Sequence, residues 1–149
     1  MNVAPHRLLG KIDQLLSYFN RRLMDVPDGF LDHNAQLRLN GVPYETMLGR
    51  SPDEPLVRLI ARGPAGYRFA AKAVHRALET VLATRDAFEI TPARAAGHVI
   101  LRGTLRGSGD VFEEWLPVEL TLTPAGVVKV ADIQLTDTAL TRLIVARTH

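Results

Sequence analysis

Residues 98–119 read His98-Val99-Ile100-Leu101-Arg102-Gly103-Thr104-Leu105-Arg106-Gly107-Ser108-Gly109-Asp110-Val111-Phe112-Glu113-Glu114-Trp115-Leu116-Pro117-Val118-Glu119. Two runs rich in aliphatic, β-branched and aromatic residues flank a Gly-Ser-Gly-Asp turn, the pattern of an antiparallel hairpin. Taking 107–110 as the loop places Arg106 opposite Val111. Leu105 with Phe112, Gly103 with Glu114, Leu101 with Leu116 and Val99 with Val118 then form one face, apolar except for Glu114. Thr104 with Glu113, Arg102 with Trp115, Ile100 with Pro117 and His98 with Glu119 form the other. A slip of one residue would destroy this sorting, so the faces are strongly specified. The second face predicts a cation–π contact of Arg102 on Trp115 and an ion pair of His98 with Glu119.

Further strands are predicted around this hairpin, over Asp86–Arg94 and Val127–Leu135, with Asp137–Arg147 a short helix or a tail. Towards the N-terminus, Leu8, Ile12, Leu15, Leu16, Phe19 and Leu23 recur at helical spacing, giving an amphipathic helix over 5–24 that Val26-Pro27-Asp28-Gly29 ends. Ala35–Tyr44 alternates about Asn40-Gly41, a tight-hairpin signal, and Pro43 confines the second arm to a sheet edge. Ser51-Pro52 opens a second helix running to Arg62, which Gly63-Pro64 breaks. A third helix over 65–83 would turn Tyr67, Ala70, Ala71, Val74, Leu78 and Val81 inward.

The 149 residues suit one domain, 1–149, and 46% hydrophobic with 23% charged residues is the balance of a globular α+β protein. There is no cysteine, which excludes disulfides, thiolate metal sites and a cysteine nucleophile. No apolar run reaches the length of a membrane helix and no signal-peptide pattern is present, so a cytoplasmic protein without membrane association is expected. A net charge of +2 is too small to steer nucleic acid. Arg58, Arg62, Arg68, Lys72 and Arg76 make a basic ridge at helical spacing, with His75 beside it. Such a ridge is either an ordinary solvated helix face or a docking face for an acidic partner. His6, His33, His75, His98 and His149 show no paired ligand spacing, and no phosphate loop or nucleophile elbow occurs, so no metal or cofactor is expected.

Two stretches carry a resemblance to a known family. Phe30-Leu31-Asp32-His33-Asn34-Ala35-Gln36-Leu37-Arg38-Leu39-Asn40-Gly41 is similar to the first strand, after a long helix, of the nuclear transport factor 2-like superfamily, which includes ketosteroid isomerase and the SnoaL-like polyketide cyclases. Leu116-Pro117-Val118-Glu119-Leu120-Thr121-Leu122-Thr123-Pro124-Ala125-Gly126-Val127-Val128 is similar to its last hairpin. The resemblance covers about residues 5–140 and implies a cystatin-like cone, a curved antiparallel sheet wrapped around a long N-terminal helix. It implies a small-molecule pocket inside the cone, here lined by Tyr18, Phe19, Leu37, Leu39, Leu101, Phe112, Glu114, Leu116 and Val118. It also implies a homodimer through the outer sheet face, here Ile100, Arg102, Trp115 and Pro117.

The isomerase members of this family use a carboxylate base with a protonated acid and a tyrosine as proton donors. Carried over by position, the base falls near Leu39, the acid at Val118 and the tyrosine near Leu15, one helical turn from Tyr18. Leucine and valine move no protons, so the resemblance implies the pocket without the isomerase chemistry. Three other residues are candidates for an isomerase, cyclase or dehydratase of different design. Glu114 is the lone carboxylate on an apolar face beside Gly103, Asp132 and Gln134 follow Val128 and Val130 along the last strand with both cavity and solvent open to them, and Tyr18 is the nearest phenol. Asp32-His33 reads either as a cavity pair or as a polar turn. The expected function is binding of a small apolar ligand, with such an enzyme and a protein-interaction module built on the basic ridge as alternatives.

Overall fold

A computed structural model describes residues 5–47 and 62–136, together with Ala139 and Leu143. The N-terminal helix, α1 (Pro5–Asn20), buries Leu8 and Ile12 on its apolar stripe. It stops at Asn20 and not near residue 24. Arg22 adopts a left-handed backbone (φ 59°), its N–H donates to the Phe19 carbonyl (3.0 Å), and the Leu23 N–H donates to the Tyr18 carbonyl (2.9 Å). This is a Schellman closure with arginine where glycine is usual, so no glycine marks the stop in the sequence.

After β1 (Leu31–Leu39), Asn40 (φ 55°) and Gly41 (φ 78°) form the tight turn into β2 (Val42–Pro43). β2 is an edge strand, where Pro43 forfeits no ladder bond. A single helical turn, α2 (Tyr44–Met47), follows. The helix predicted from Ser51, with Arg58, lies outside the described residues. Gly63-Pro64, expected to break a helix, starts α3 (Gly63–Ala77): Gly63 has φ +61°, and a Cβ there would strike the His33 carbonyl. α3 ends at Ala77, before the predicted residue 83. Leu78 turns extended (φ −112°) while its N–H still caps the Val74 carbonyl. Leu78–Arg85 becomes β3, so Leu78 and Val81 belong to a strand and not to a helix face. Its β-branched residues Thr80, Val81 and Thr84 suit the strand, and pairing with β5 overrides the helical periodicity.

The remaining strands are β4 (Glu89–Ile90), shorter than the predicted Asp86–Arg94, then β5 (Arg94–Leu105), β6 (Val111–Leu122) and β7 (Val128–Ile133). The sheet order is β2-β1-β7-β6-β5-β3, with β4 on β5. The sheet is mixed and not wholly antiparallel, because β1 and β7 pair parallel. These two strands lie far apart in the chain, so no hairpin turn dictates their direction.

The β5–β6 register differs from the sequence expectation by two residues: Gly103 faces Phe112, Leu101 faces Glu114, Val99 faces Leu116 and Gly97 faces Val118. Gly107 and Gly109 are both left-handed (φ 85° and 72°), and the Gly109 N–H closes on the Leu105 carbonyl (2.9 Å), so the loop is 106–109. Arg106 leaves the ladder and donates its N–H to the Ala77 carbonyl at the end of α3 (3.0 Å). A two-residue shift preserves which side chains face the core. It changes the partners on the outer face. Arg102 bonds Glu113 (3.2 Å) and not Trp115, Glu119 pairs with Arg94 (2.8 Å), and His98 pairs with Asp86 (2.7 Å). Gly103 is not an opening for Glu114 either; a Cβ there would run into the Thr80 carbonyl, where β3 bulges against β5.

Apolar side chains on the inner sheet face, α1 and α3 form two packed clusters. One centres on Leu39, Tyr44, Leu78, Leu101, Phe112 and Leu116, and it takes in Ala139 and Leu143 of the C-terminal segment, both helical and buried. The other centres on Leu8, Ile12, Phe30, Leu120 and Val128. Of the basic ridge, Arg68, Lys72 and Arg76 lie exposed along α3, whereas His75 is turned inward and buried, because position 75 falls on the apolar side of the helix. No helix among the described residues is long and apolar enough to cross a membrane.

Candidate binding cavity

The two clusters leave a cavity of about 220 Å³ between them, lined by members of both. α1 contributes Ile12, Leu15, Leu16 and Phe19, and α3 contributes Tyr67, Ala70, Ala71 and Val74. The inward positions of the strands close it: Ala35, Leu37 and Leu39 on β1, Val99 and Leu101 on β5, Leu116, Val118 and Leu120 on β6. Strand alternation produces this lining. On β6 the even positions Phe112, Leu116, Leu120 and Leu122 are buried, while Glu119 is exposed.

Of the residues for which the resemblance implies a place in the pocket, Phe19, Leu37, Leu39, Leu101, Leu116 and Val118 lie on the wall of this cavity. Phe112 does not; it is buried within the first cluster. Tyr18 faces away, its hydroxyl accepting from Gln14 Nε2 (2.7 Å) and its ring lying 5.5 Å from the Arg21 guanidinium, because it stands a helical step off the apolar stripe. Glu114 is half-buried and accepts the Thr136 hydroxyl (3.3 Å); it stands across the ladder from the wall residue Leu101 but does not itself line the cavity. Asp132 accepts the Gly41 N–H (3.2 Å) and the Gln134 amide (3.3 Å) on the outer side of the sheet. The three acid–base candidates are therefore not brought together. Leu15, Leu39 and Val118, the positions to which the isomerase machinery was carried, all line the cavity as hydrocarbon. Asp32 accepts the Asn34 N–H (3.1 Å) and His33 is exposed, which makes that stretch a local polar feature of β1.

Two polar side chains reach the wall, Gln36 and Tyr67. The Gln36 oxygen accepts Arg38 Nε. Burial raises the Tyr67 phenol far above its ordinary pKa of 10.0, so it stays protonated. Behind the wall lies a polar knot the sequence did not announce. The His75 ring packs on Phe19 (centroids 4.3 Å apart), and its Nδ1 lies 3.2 Å from Arg22 Nη1. The same guanidinium donates to the carbonyls of His75 (3.2 Å), Leu78 (3.1 Å) and Glu79 (2.7 Å). Burial, and secondarily the Arg22 charge, lower the His75 pKa to about 4, so the ring is neutral at physiological pH. In the first cluster the fully buried Tyr44 hydroxyl has no hydrogen-bond partner among the described residues, and burial raises its pKa to about 12. These couplings join α1 to the α3–β3 junction across more than fifty residues, beyond the reach of local sequence patterns.

The outer sheet face carries a shallow groove lined by Asp86, Glu89, His98, Glu119, Asp132 and Gln134. Asp86 accepts both the backbone N–H and the ring of His98 at 2.7 Å, and the backbone bond chiefly holds its carboxyl below the ordinary value. Beside this groove, Trp115 is 55% exposed and meets the His98 ring edge-on (6.0 Å). Pro117 is exposed, but Ile100, expected on the outer surface, is buried on the central strand between Thr84 and Trp115. Among the described residues, no group of three His, Asp or Glu is arranged to hold a metal ion.

A mixed sheet coiled against a long N-terminal helix, with an apolar interior, is the nuclear transport factor 2-like fold, shared by SnoaL-like and ketosteroid isomerase-like proteins. Solved structures match nearly the whole chain. TsrD from Streptomyces laurentii superposes with a TM-score of 0.69 at 16% identity, covering 95% of this chain and 96% of that one. A putative SnoaL-like polyketide cyclase from Jannaschia sp. CCS1 gives 0.66 at 11% identity, covering 96% of each chain. A hypothetical protein with a ketosteroid isomerase-like fold from Catenulispora acidiphila gives 0.62 at 9% identity, covering 95% and 94%. At these identities the likeness is one of fold. No protein-family model matches the sequence. No curated protein matches it significantly.

Proposed function

We propose that this chain binds a small, mostly apolar molecule inside its cone and does so without isomerase-type acid–base chemistry. The observation that carries the reading is the cavity of about 220 Å³ whose wall, Gln36 and Tyr67 apart, is hydrocarbon or bare backbone. An apolar ligand that fills the space takes its own surface and that of the wall out of water, which stabilises the complex by roughly 25 cal/mol per Å². Cavities of roughly 150 Å³ accept benzene, so this one suits a body of about two fused rings. Among the structures with this fold, two are called SnoaL-like polyketide cyclases and one, SalBIII, an epoxide hydrolase/cyclase-like enzyme, which is consistent with an interior built for apolar small molecules. The same proposal includes a homodimer through the outer sheet face, favoured by the exposed Trp115, Leu82 and Val111.

The test is thermal unfolding and calorimetric titration with benzene, indole and naphthalene. Naphthalene is expected to raise Tm with the logarithmic concentration dependence of a native-state ligand. Ala70→Phe, which fills the cavity from α3, should abolish that response while keeping the protein folded. No stabilisation by any of the three compounds would remove the reading.

A further inference from the structure

We propose that Phe88 sets the length of ligand the cavity accepts, an inference that rests on the cavity-binding reading above. Along β5 the inward positions Val99 and Leu101 supply wall from their own side chains, but Gly97 supplies none. The wall at that place is Phe88, which comes from the connection between β3 and β4 and not from the ladder. A Cβ on Gly97 would lie 2.5 Å, 2.7 Å and 2.8 Å from Cδ1, Cγ and Cε1 of that ring. The ring thus occupies the space a side chain on β5 would fill. Gly97 does not have the left-handed backbone that would itself require glycine; the close approach of Phe88 is what excludes a larger residue. Across the ladder Gly97 faces Val118, which also lines the cavity.

This section of wall therefore depends on one half-buried ring carried by a connecting segment outside the strand ladders. Its removal leaves bare β5 backbone beneath it, because Gly97 has nothing to put in its place. The cavity lengthens there, and the ligands gained are unbranched apolar chains longer than the wild type tolerates.

The experiment measures dissociation constants for the 1-alkanols from butanol to dodecanol by calorimetry. In the wild type, affinity should improve about four-fold per added methylene up to a limiting chain length and then stop improving. Phe88→Ala should move that limit to longer chains by about two carbons or more. Phe88→Ala combined with Gly97→Val, which returns apolar bulk from the strand, should move it back. If Phe88→Ala does not fold, Phe88→Leu should show a smaller shift in the same direction. An unmoved limit in the folded variant, with normal wild-type binding, overturns the role of Phe88 and leaves the cavity reading standing. A wild type that binds no alkanol of any length overturns both.

Discussion

Arg22 joins two helices by accepting a conformation that arginine ordinarily avoids. Its left-handed backbone costs about 1–2 kcal/mol relative to glycine, and its guanidinium returns stabilisation through three carbonyls at the α3–β3 junction. Arg22→Ala, which keeps the strain and loses the bonds, should lower unfolding stability by about 2 kcal/mol in urea. Arg22→Gly should be less harmful by about 1 kcal/mol, since it relieves the strain; equal losses would show that the backbone conformation carries no cost. His75 makes the knot sensitive to acid. It titrates at about 4 when folded and at 6.5 when unfolded. Between these values the unfolded chain holds the extra proton, so this contribution to stability is complete above pH 6.5 and lost as the pH falls towards 4. The loss approaches ~3 kcal/mol, at ~1.4 kcal/mol per pH unit. His75→Leu should flatten stability over that window, and a wild-type curve already flat there would contradict the account.

Elements in this chain are set by backbone contacts, and a glycine marks one of the decisive places. Gly103 lets β5 pass beneath the β3 bulge at Thr80, and a methyl there collides with the Thr80 carbonyl. Gly103→Ala should cost upwards of ~2 kcal/mol or prevent folding, as strain imposed on packed backbone does. Gly10, exposed on α1 with nothing within 4 Å of an added Cβ, is the contrasting case. Gly10→Ala should stabilise by about 0.5–1 kcal/mol through helix propensity. Thermal and urea unfolding of the two variants should therefore move in opposite directions. The same contacts explain how far elements were legible. The Asn40-Gly41 turn and the edge role of Pro43 are local chemistry and were readable. The closure of α1 at Arg22 was not, because arginine stands where glycine would mark it and its guanidinium is held by carbonyls more than fifty residues away; nor was the change from α3 to β3 at Leu78, which pairing with β5 decides.

For the molecule as a whole, the outer sheet face and the cavity answer different questions. Trp115, Leu82 and Val111 stand out from a face otherwise dressed with the pairs Arg102–Glu113 and Arg94–Glu119. With a homodimer there, sedimentation at micromolar concentration should give twice the chain mass, and Trp115→Glu should give a monomer without loss of Tm. A wild type that sediments as a monomer would remove the dimer from the proposal. The cavity was partly legible: the strand positions Leu37, Leu39, Leu101, Leu116 and Val118 follow from alternation alone. Tyr67, Ala70, Ala71 and Val74 follow from the helical spacing of α3, whereas Phe88 and Leu143 entered the wall from other segments and the acid–base candidates Tyr18, Glu114 and Asp132 went elsewhere.

Residue order alone was enough to assign the inward side chains of β1, β5 and β6. Alternation has a period of two, and a register error of two leaves every face intact. Which strands meet, how α1 and α3 stop, and what volume is left between the clusters emerged from the folded arrangement. Those outcomes depend on small differences in how far distant backbone segments approach one another, and a local pattern of residues holds no record of such distances.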